Sequence, residues 1–356
     1  MQSTKQSHRP HGLKVVAIGG GTGLSTLLSG LKEFVGDSNN GAVYVDDLSA
    51  IVAVTDDGGS SGRLRTERQI LPPGDIRNCM VALSEDSLLL SKLFRHRFSG
   101  DVGLGGHNFG NLFLAALTEI TGDFAEAVRL SSEILASKGR IFPATTADVH
   151  IVAELEDGTD AHGETRISKA GPKIKRVRLE PSDCDPIPEA IDAIRSAGVI
   201  TVGPGSLFTS ILPPLLVKGV PEAIAESRAV KIFVNNLMTQ PGETDGFSLA
   251  RHLDVIREYA PAINFDFLLV NNRPISDRQR ELYEFEGAEQ IGVHGAIQDV
   301  VRIEGTAVIY DNFLDGGDKV RHHPWRLARA ILACAASPRN VHPGDAHAVA
   351  RRAEIQ

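Results

Sequence analysis

Short apolar runs alternate along the chain with stretches whose apolar positions recur every third or fourth residue, the pattern of strands followed by helices. Val15, Val16, Ala17 and Ile18 form the first run, and Leu24, Leu27, Leu28, Leu31 and Phe34 follow at helical spacing. A second buried-type strand covers residues 49–54. Asp123, with Glu126 three positions on, opens a helix in the manner of a capping box, and Lys138-Gly139 is its expected stop. Beyond that point the rhythm changes. A strand at 149–155, an Asp157-Gly158 turn and further strand-like residues to about Leu179 predict a small β-rich insertion, either a hairpin lid or a subdomain. Within it Lys173, Lys175, Arg176 and Arg178 alternate with apolar residues, which fits a strand with one wet face. Strands and helices then alternate again. A helix starts at Pro188, strands cover 199–202 and 230–235, a helix runs through Leu249, Leu253 and Ile256, and a strand covers 265–270. The last helix uses Trp325, Ala328, Ile331 and Leu332. Such alternation predicts an α/β protein with a mostly parallel sheet and helices on both faces. The expected organisation is a flexible tail at 1–13, a nucleotide-binding α/β half at 14–144, the insertion at 145–180, a second α/β half on the same core at 181–336, and a frayed tail at 337–356.

The junctions between strands and helices carry the candidate chemistry. The first strand empties into Gly19-Gly20-Gly21-Thr22-Gly23-Leu24-Ser25. Glycines let the backbone turn tightly and approach a ligand, while free N–H groups and the positive end of the helix attract an anion. The spacing departs from a dinucleotide fingerprint, which needs glycine where Leu24 stands, and no Gly-Lys-Ser/Thr ending marks a P-loop. The second strand ends at Asp56 and Asp57, followed by Gly58, Gly59, Ser60, Ser61, Gly62, Arg63, Leu64 and Arg65. Adjacent carboxylates at a strand end suit a ribose hydroxyl or a magnesium ion bridging phosphates, although Asp-Gly is also ordinary turn chemistry. In Pro72-Pro73-Gly74-Asp75-Ile76-Arg77-Asn78, Asp75 suits a helix cap or a ligand contact, ahead of a helix with Ile76, Met80 and Leu83 on one side. A polar loop at 103–111 holds His107, Asn108 and Asn111 before a helix using Leu112, Phe113, Ala116, Leu117 and Ile120. His107 is a proton shuttle, a phosphate donor or a plain loop histidine, with no acidic partner readable beside it.

Composition narrows the partners. The 356-residue chain carries a net charge of -8 and shows no basic stripe, so nucleic acid is not an expected partner. The cysteines Cys79, Cys184 and Cys334 are widely spaced, which points to a reducing, cytoplasmic compartment and away from a structural zinc site. Residues 1–12 lack the apolar centre of a signal peptide, and no run of apolar residues is long enough to span a bilayer, so no membrane association is expected.

The glycine loop at 19–25, the loops at 56–65, 72–78 and 106–111, a second glycine loop at 200–210 and the Asn235–Asp245 loop follow one another in the order of a known family. Together they resemble the YvcK-like gluconeogenesis factors and, more distantly, CofD, the 2-phospho-L-lactate transferase. CofD joins a lactyl-phosphate group to a deazaflavin alcohol, using a nucleotide-activated donor and magnesium. The resemblance spans residue 14 to the helix near Trp325. It implies a Rossmann-like core and a cytosolic protein that binds a UDP-sugar, UDP-N-acetylglucosamine or UDP-glucose, and links carbon metabolism to cell-wall synthesis and cell shape. The alternative it implies is a magnesium-dependent nucleotidyl- or phosphoryl-type transferase. Ligand contacts are then expected from Gly20, Gly21, Thr22, Gly23, Ser25, Asp57, Ser60, Ser61, Asp75, Asn78, Asn108, Asn111, Gly205, Ser206, Asn235 and Thr239. Asp56, Asp57, His107 and Asp245 are the catalytic candidates, with Asp56 and Asp57 also the candidate magnesium ligands. A cell-wall precursor enzyme and a second copy of the chain are the expected protein partners.

Overall fold

Eleven strands cover the apolar runs among the described residues: β1 (Leu13–Gly19), β2 (Val45–Val52), β3 (Arg140–Pro143), β4 (His150–Leu155), β5 (Asp160–His162), β6 (Ile174–Glu180), β7 (Val199–Val202), β8 (Val230–Val234), β9 (Phe267–Asn271), β10 (Arg302–Ile303) and β11 (Thr306–Asp311). The structure is a computed structural model that describes residues 12–36, 43–85, 88–100, 102–171, 173–292, 302–303 and 305–336. The frayed tail expected at 337–356 and residues 1–11 of the expected flexible tail lie outside the described residues.

The main sheet has the order β10-β11-β9-β8-β7-β1-β2-β3. All its pairings are parallel except the β10–β11 edge. Successive residues of β1 feed opposite faces, as the period of a strand requires. Val15 and Ala17 join Leu24, Leu27, Leu28 and Leu31 of the helix Gly21–Leu31, together with the helices Gly74–Leu83 and Pro324–Ala335. Val16 and Ile18 meet Ile194 of Pro188–Ser196, Ile224 of Val220–Glu226 and Leu253 of Leu249–Tyr259. The result is the three-layer, Rossmann-like arrangement expected of strand-helix alternation.

The insertion is a three-stranded antiparallel sheet of order β5-β4-β6. Its inner residues Ile151, Ala153, Val177 and Leu179 are buried in the same cluster as Val16 and Ile18. The Val177 N–H also donates to the Tyr259 hydroxyl at 2.7 Å. The insertion is thus a small three-stranded unit packed on the core. Its outer face carries the predicted charges, including Lys175 with Glu154 and Arg178 with Asp160.

Several boundaries differ from the sequence pattern for local reasons. The helix Phe124–Ile134 stops before Lys138 because Ala136 adopts a positive φ of 47° and turns the chain toward β3. The helix Phe109–Thr121 buries Gly110, Asn111, Leu114 and Ala115, whereas Ala116 and Ile120 face solvent. It lies among neighbouring helices that select that face rather than the expected apolar stripe. Trp325 is 45% exposed and stacks on Phe34 instead of entering the core.

The sheet grows one way from β1 to β2 and β3, and the other way from β7 to β8, β9 and β11. Strand order therefore reverses between β1 and β7. The carboxyl ends at such a reversal form a crevice where α/β proteins bind ligands.

Candidate functional site

Both strands at the reversal end in glycine turns. Gly20 is extended, and Gly21 starts the helix at φ 64°, a left-handed conformation that favours glycine. Opposite it, after β7, Gly205 is held at both ends by Asn236. The Gly205 N–H donates to Asn236 Oδ1 at 3.1 Å, and Asn236 Nδ2 donates to the Gly205 carbonyl at 2.7 Å. The turns touch at Gly23, where a Cβ would lie 2.7 Å from the Pro204 carbonyl carbon and 3.0 Å from the Gly205 nitrogen. Glycine is required there by close approach. Between the turns lies a cavity of about 580 Å³, floored by residues 20–23 and walled by Ser206, Ser210, Asn236, Thr239, Tyr283 and Arg321. That volume falls in the range of small-ligand sites.

Carboxyl groups crowd one end of this crevice. Asp75 does not cap its own helix. Its Oδ2 accepts the Gly21 N–H at 2.7 Å, across the gap to the first glycine turn. Burial, reinforced by the charge of Asp56, raises its pKa to about 7, against the opposing pull of the Gly21 N–H, Arg77 and Asn78. Glu164, from the short helix Glu164–Ile167 of the insertion, rises to about 8, again from burial first and then from Asp75, Asp56, Glu243 and Asp57. Glu243 is pushed up by burial while accepting hydrogen bonds from Ser206 and Ser168. Asp75 and Glu164 are thus groups that hold or release a proton near neutrality.

The remaining candidates divide by location. Thr22, Gly23, Gly205, Ser206 and Thr239 line the crevice, although Thr239 is also paired with Glu289 through its N–H and hydroxyl. Ser25 turns back to the Thr22 carbonyl. Asn235 is buried just behind the crevice, with its Oδ1 lacking a hydrogen-bond partner. A separate network joins the serine and asparagine candidates. Ser60 and His107 share a hydrogen bond of 3.1 Å, and the Asn108 N–H donates to Ser60 Oγ. Asn111 Nδ2 donates to Ser61, and Asn111 Oδ1 accepts from Arg77. Asn78 hydrogen-bonds Asp75. His107 is buried, and burial followed by Arg63 lowers its pKa. Asp245 is exposed and accepts from the Gly242 N–H within its own loop.

Asp56 and Asp57, the candidate magnesium ligands, have different partners. Asp56 Oδ1 accepts from the Gly58 N–H. Asp57 Oδ1 accepts from the Thr165 N–H at 2.9 Å and the Thr165 hydroxyl at 2.6 Å, so it fastens the insertion's short helix. Among the described residues, no group of three or more His, Cys, Asp or Glu side chains is placed to hold a metal ion. Magnesium is commonly held by one or two carboxylates together with substrate phosphates and water, so Asp56 and Asp57 stay its candidate ligands. Loss of such a capping contact costs about 1 kcal/mol. Asp57→Ala is expected to lower stability by about that amount and to raise amide exchange at 163–168. Asp57→Asn, which retains an acceptor oxygen, should preserve most of both in denaturant titration and exchange measurements.

Sequence reasoning missed Glu164, Ser168, Tyr283, Arg321 and His322. Glu164 arrives from an insertion whose packing has no local signal. Arg321 is the one guanidinium lining the crevice among the described residues. His322 is pushed down to about 4 by burial and hydrogen-bonds the Asn235 backbone, so it is neutral at pH 7. Asn236 and Glu243 sat inside a loop already singled out, and the doubled Asn235-Asn236 at a strand end was the available clue.

The family model described as 2-phospho-L-lactate transferase CofD matches residues 15–314. The chain is similar to the gluconeogenesis factor of Halalkalibacterium halodurans, at 47% identity over 319 residues, covering 89% of this chain and 95% of that protein. It is also similar to the gluconeogenesis factor of Bacillus subtilis, at 44% identity over 320 residues, covering 90% and 97%. Among solved structures, a UPF0052 family member from Bacillus halodurans superposes with a TM-score of 0.82 at 47% identity, covering 90% of this chain and 99% of that one. With the reversed strand order and facing glycine turns in place, these matches assign the chain to the CofD family, alongside relatives that are gluconeogenesis factors.

Proposed function

We propose that the crevice binds a UDP-sugar, UDP-N-acetylglucosamine or UDP-glucose, and that the protein acts in the cytoplasm as a regulator linking central carbon metabolism to cell-wall synthesis and cell shape. The observation that carries this reading is the apposition of two glycine turns, residues 20–23 and 203–206, across the strand-order reversal. A diphosphate suits the N-terminus of the helix Gly21–Leu31, where N–H groups and the helix dipole favour negative charge. Arg321 adds a full positive charge at the crevice wall. Hydroxyl and amide groups of Ser206, Ser210 and Asn236 suit the sugar. Occupancy would be reported to a cell-wall precursor enzyme or across a homodimer only through a difference in ligand affinity between two states.

A transferase acting on a nucleotide-activated donor is the second reading. It is favoured by Asp75 and Glu164, whose pKa values of about 7 and about 8 suit proton transfer beside a phosphate loop. Thermal denaturation with UDP-N-acetylglucosamine, UDP-glucose and NAD separates these readings from a dinucleotide enzyme. A UDP-sugar at a hundred times its Kd should add about 2.7 kcal/mol, whereas NAD should add nothing. Equal stabilisation by NAD would sink the proposal, and a new product by mass analysis, with or without magnesium, would select the transferase.

A further inference from the structure

The helix Asp277–Phe285 is unlike every other long helix of the fold in burying no residue. Three cavities border it. The ligand crevice reaches Tyr283 and Glu286, a second cavity of about 470 Å³ reaches Arg280 and Glu284, and a third of about 570 Å³ reaches Gln279 and Leu282. Among the described residues, Phe285 is left 91% exposed and Leu282 50%.

The base of this segment, by contrast, is tied. Gln290 bridges the strands entering and leaving it, with its Oε1 accepting the Ile275 N–H at 2.9 Å and its Nε2 donating to the Arg273 carbonyl at 2.7 Å. Ile275, Ala288 and Ile291 are buried on either side. The Ile291 N–H donates to the Leu237 carbonyl, and Glu289 pairs with Thr239, so the base is also fastened to the crevice wall. Between the tied ends, Ser276 closes the helix start with a capping box, and Gly287, at φ 80°, makes the turn out. Among the described residues, two hydrogen bonds tie the helix to the 317–320 loop. The Tyr283 hydroxyl accepts the Val320 N–H at 3.1 Å, and Gln279 Nε2 donates to the Gly317 carbonyl at 2.9 Å.

We infer that residues 276–287 form a flap on a fixed base, which closes over the occupied crevice by rotating at Ser276 and Gly287. This rests on the crevice being a ligand site. Closure carries Tyr283 and Glu286, which already line the crevice, inward over it. The open position is cheap to leave, because two hydrogen bonds to a loop are exchanged and no core contact is broken. A segment with few buried apolar contacts and a rigid surround is the kind that opens as its own unit.

Hydrogen exchange on the full chain tests this without requiring ligand. In the free protein, amides of 277–285 should exchange together, at least about tenfold faster than those of β9 and of 288–291. Tyr283→Phe should speed the flap several-fold and leave β9 unchanged. Exchange of the flap at the rate of β9, or no response to Tyr283→Phe, overturns the inference. With saturating UDP-N-acetylglucosamine, flap protection should rise about tenfold. Calorimetric binding without added flap protection overturns the flap and leaves the proposed function standing. Absence of binding by any UDP-sugar removes the proposed function and with it the closing role assigned to the flap.

Discussion

Stability measured by thermal denaturation is expected to fall as the pH is raised from about 5 to about 8, and Glu164→Gln is expected to remove much of that fall. Asp75 and Glu164 are carboxyls whose pKa values are raised to about 7 and about 8 in the folded protein. In the unfolded chain both return to the ordinary carboxylate range. Between roughly pH 4 and pH 8 the folded state therefore binds more protons than the unfolded state, so stability declines as the pH rises through that window. Near pH 4 and below, both states are protonated at these sites and the penalty vanishes. The charge of Asp75 is among the causes that raise Glu164, and the effect of each group is on the order of 4 kcal/mol. Glu164→Gln mimics the protonated acid. Its melting temperature should exceed that of the wild type at pH 8 and match it near pH 4. A variant with the same pH slope as the wild type would show that this cluster does not control stability.

Gly23→Ala is expected to abolish nucleotide-sugar binding and to lower stability by about 2 kcal/mol, the scale of overpacking a tight site. The added methyl would press on the Pro204 carbonyl, which is backbone on the facing turn and has nowhere to rotate. Relief requires the ends of β1 and β7 to move apart, which opens the floor of the crevice. Gly21 makes a useful contrast. A Cβ there has open space apart from Ser210 Oγ at 3.5 Å, but its φ of 64° costs a β-branched residue about 1–2 kcal/mol in backbone strain. Gly21→Val, the substitution that the glycine pattern alone suggests for blocking a phosphate, therefore mixes strain with blockage. Calorimetric titration and urea denaturation of Gly23→Ala provide the cleaner test. Normal affinity in that variant would mean that the ligand does not rest on this turn.

Periodicity made the sheet legible. Strand β7 is a run of β-branched residues bounded by glycine on either side, and the sequence pattern places it at its observed residues. The glycine turns were legible for the same reason, since a strand running directly into glycine and then a helix has few other meanings. Side-chain partners across long separations were not legible. Asp56 and Asp57 look alike in sequence, yet one stays by its own turn and the other reaches Thr165 on the insertion. Asp75 reads as a cap for the helix it begins and instead serves the helix Gly21–Leu31. Glu164 carries no local pattern, because its place in the crevice depends on how Ile151, Val177 and Leu179 seat the insertion on the core.

The neighbour relation of β1 and β7 also bears on how the chain is made. β1 ends at Gly19, whereas β7 begins only at Val199. Until then, one edge of β1 presents its N–H and C=O groups without a strand to pair with, and the Val16 and Ile18 face lacks the helices that will cover it. An open apolar edge held through that much synthesis is a template for wrong pairing. The glycine turn that ends β1 therefore meets its facing turn only after the second half of the protein has arrived.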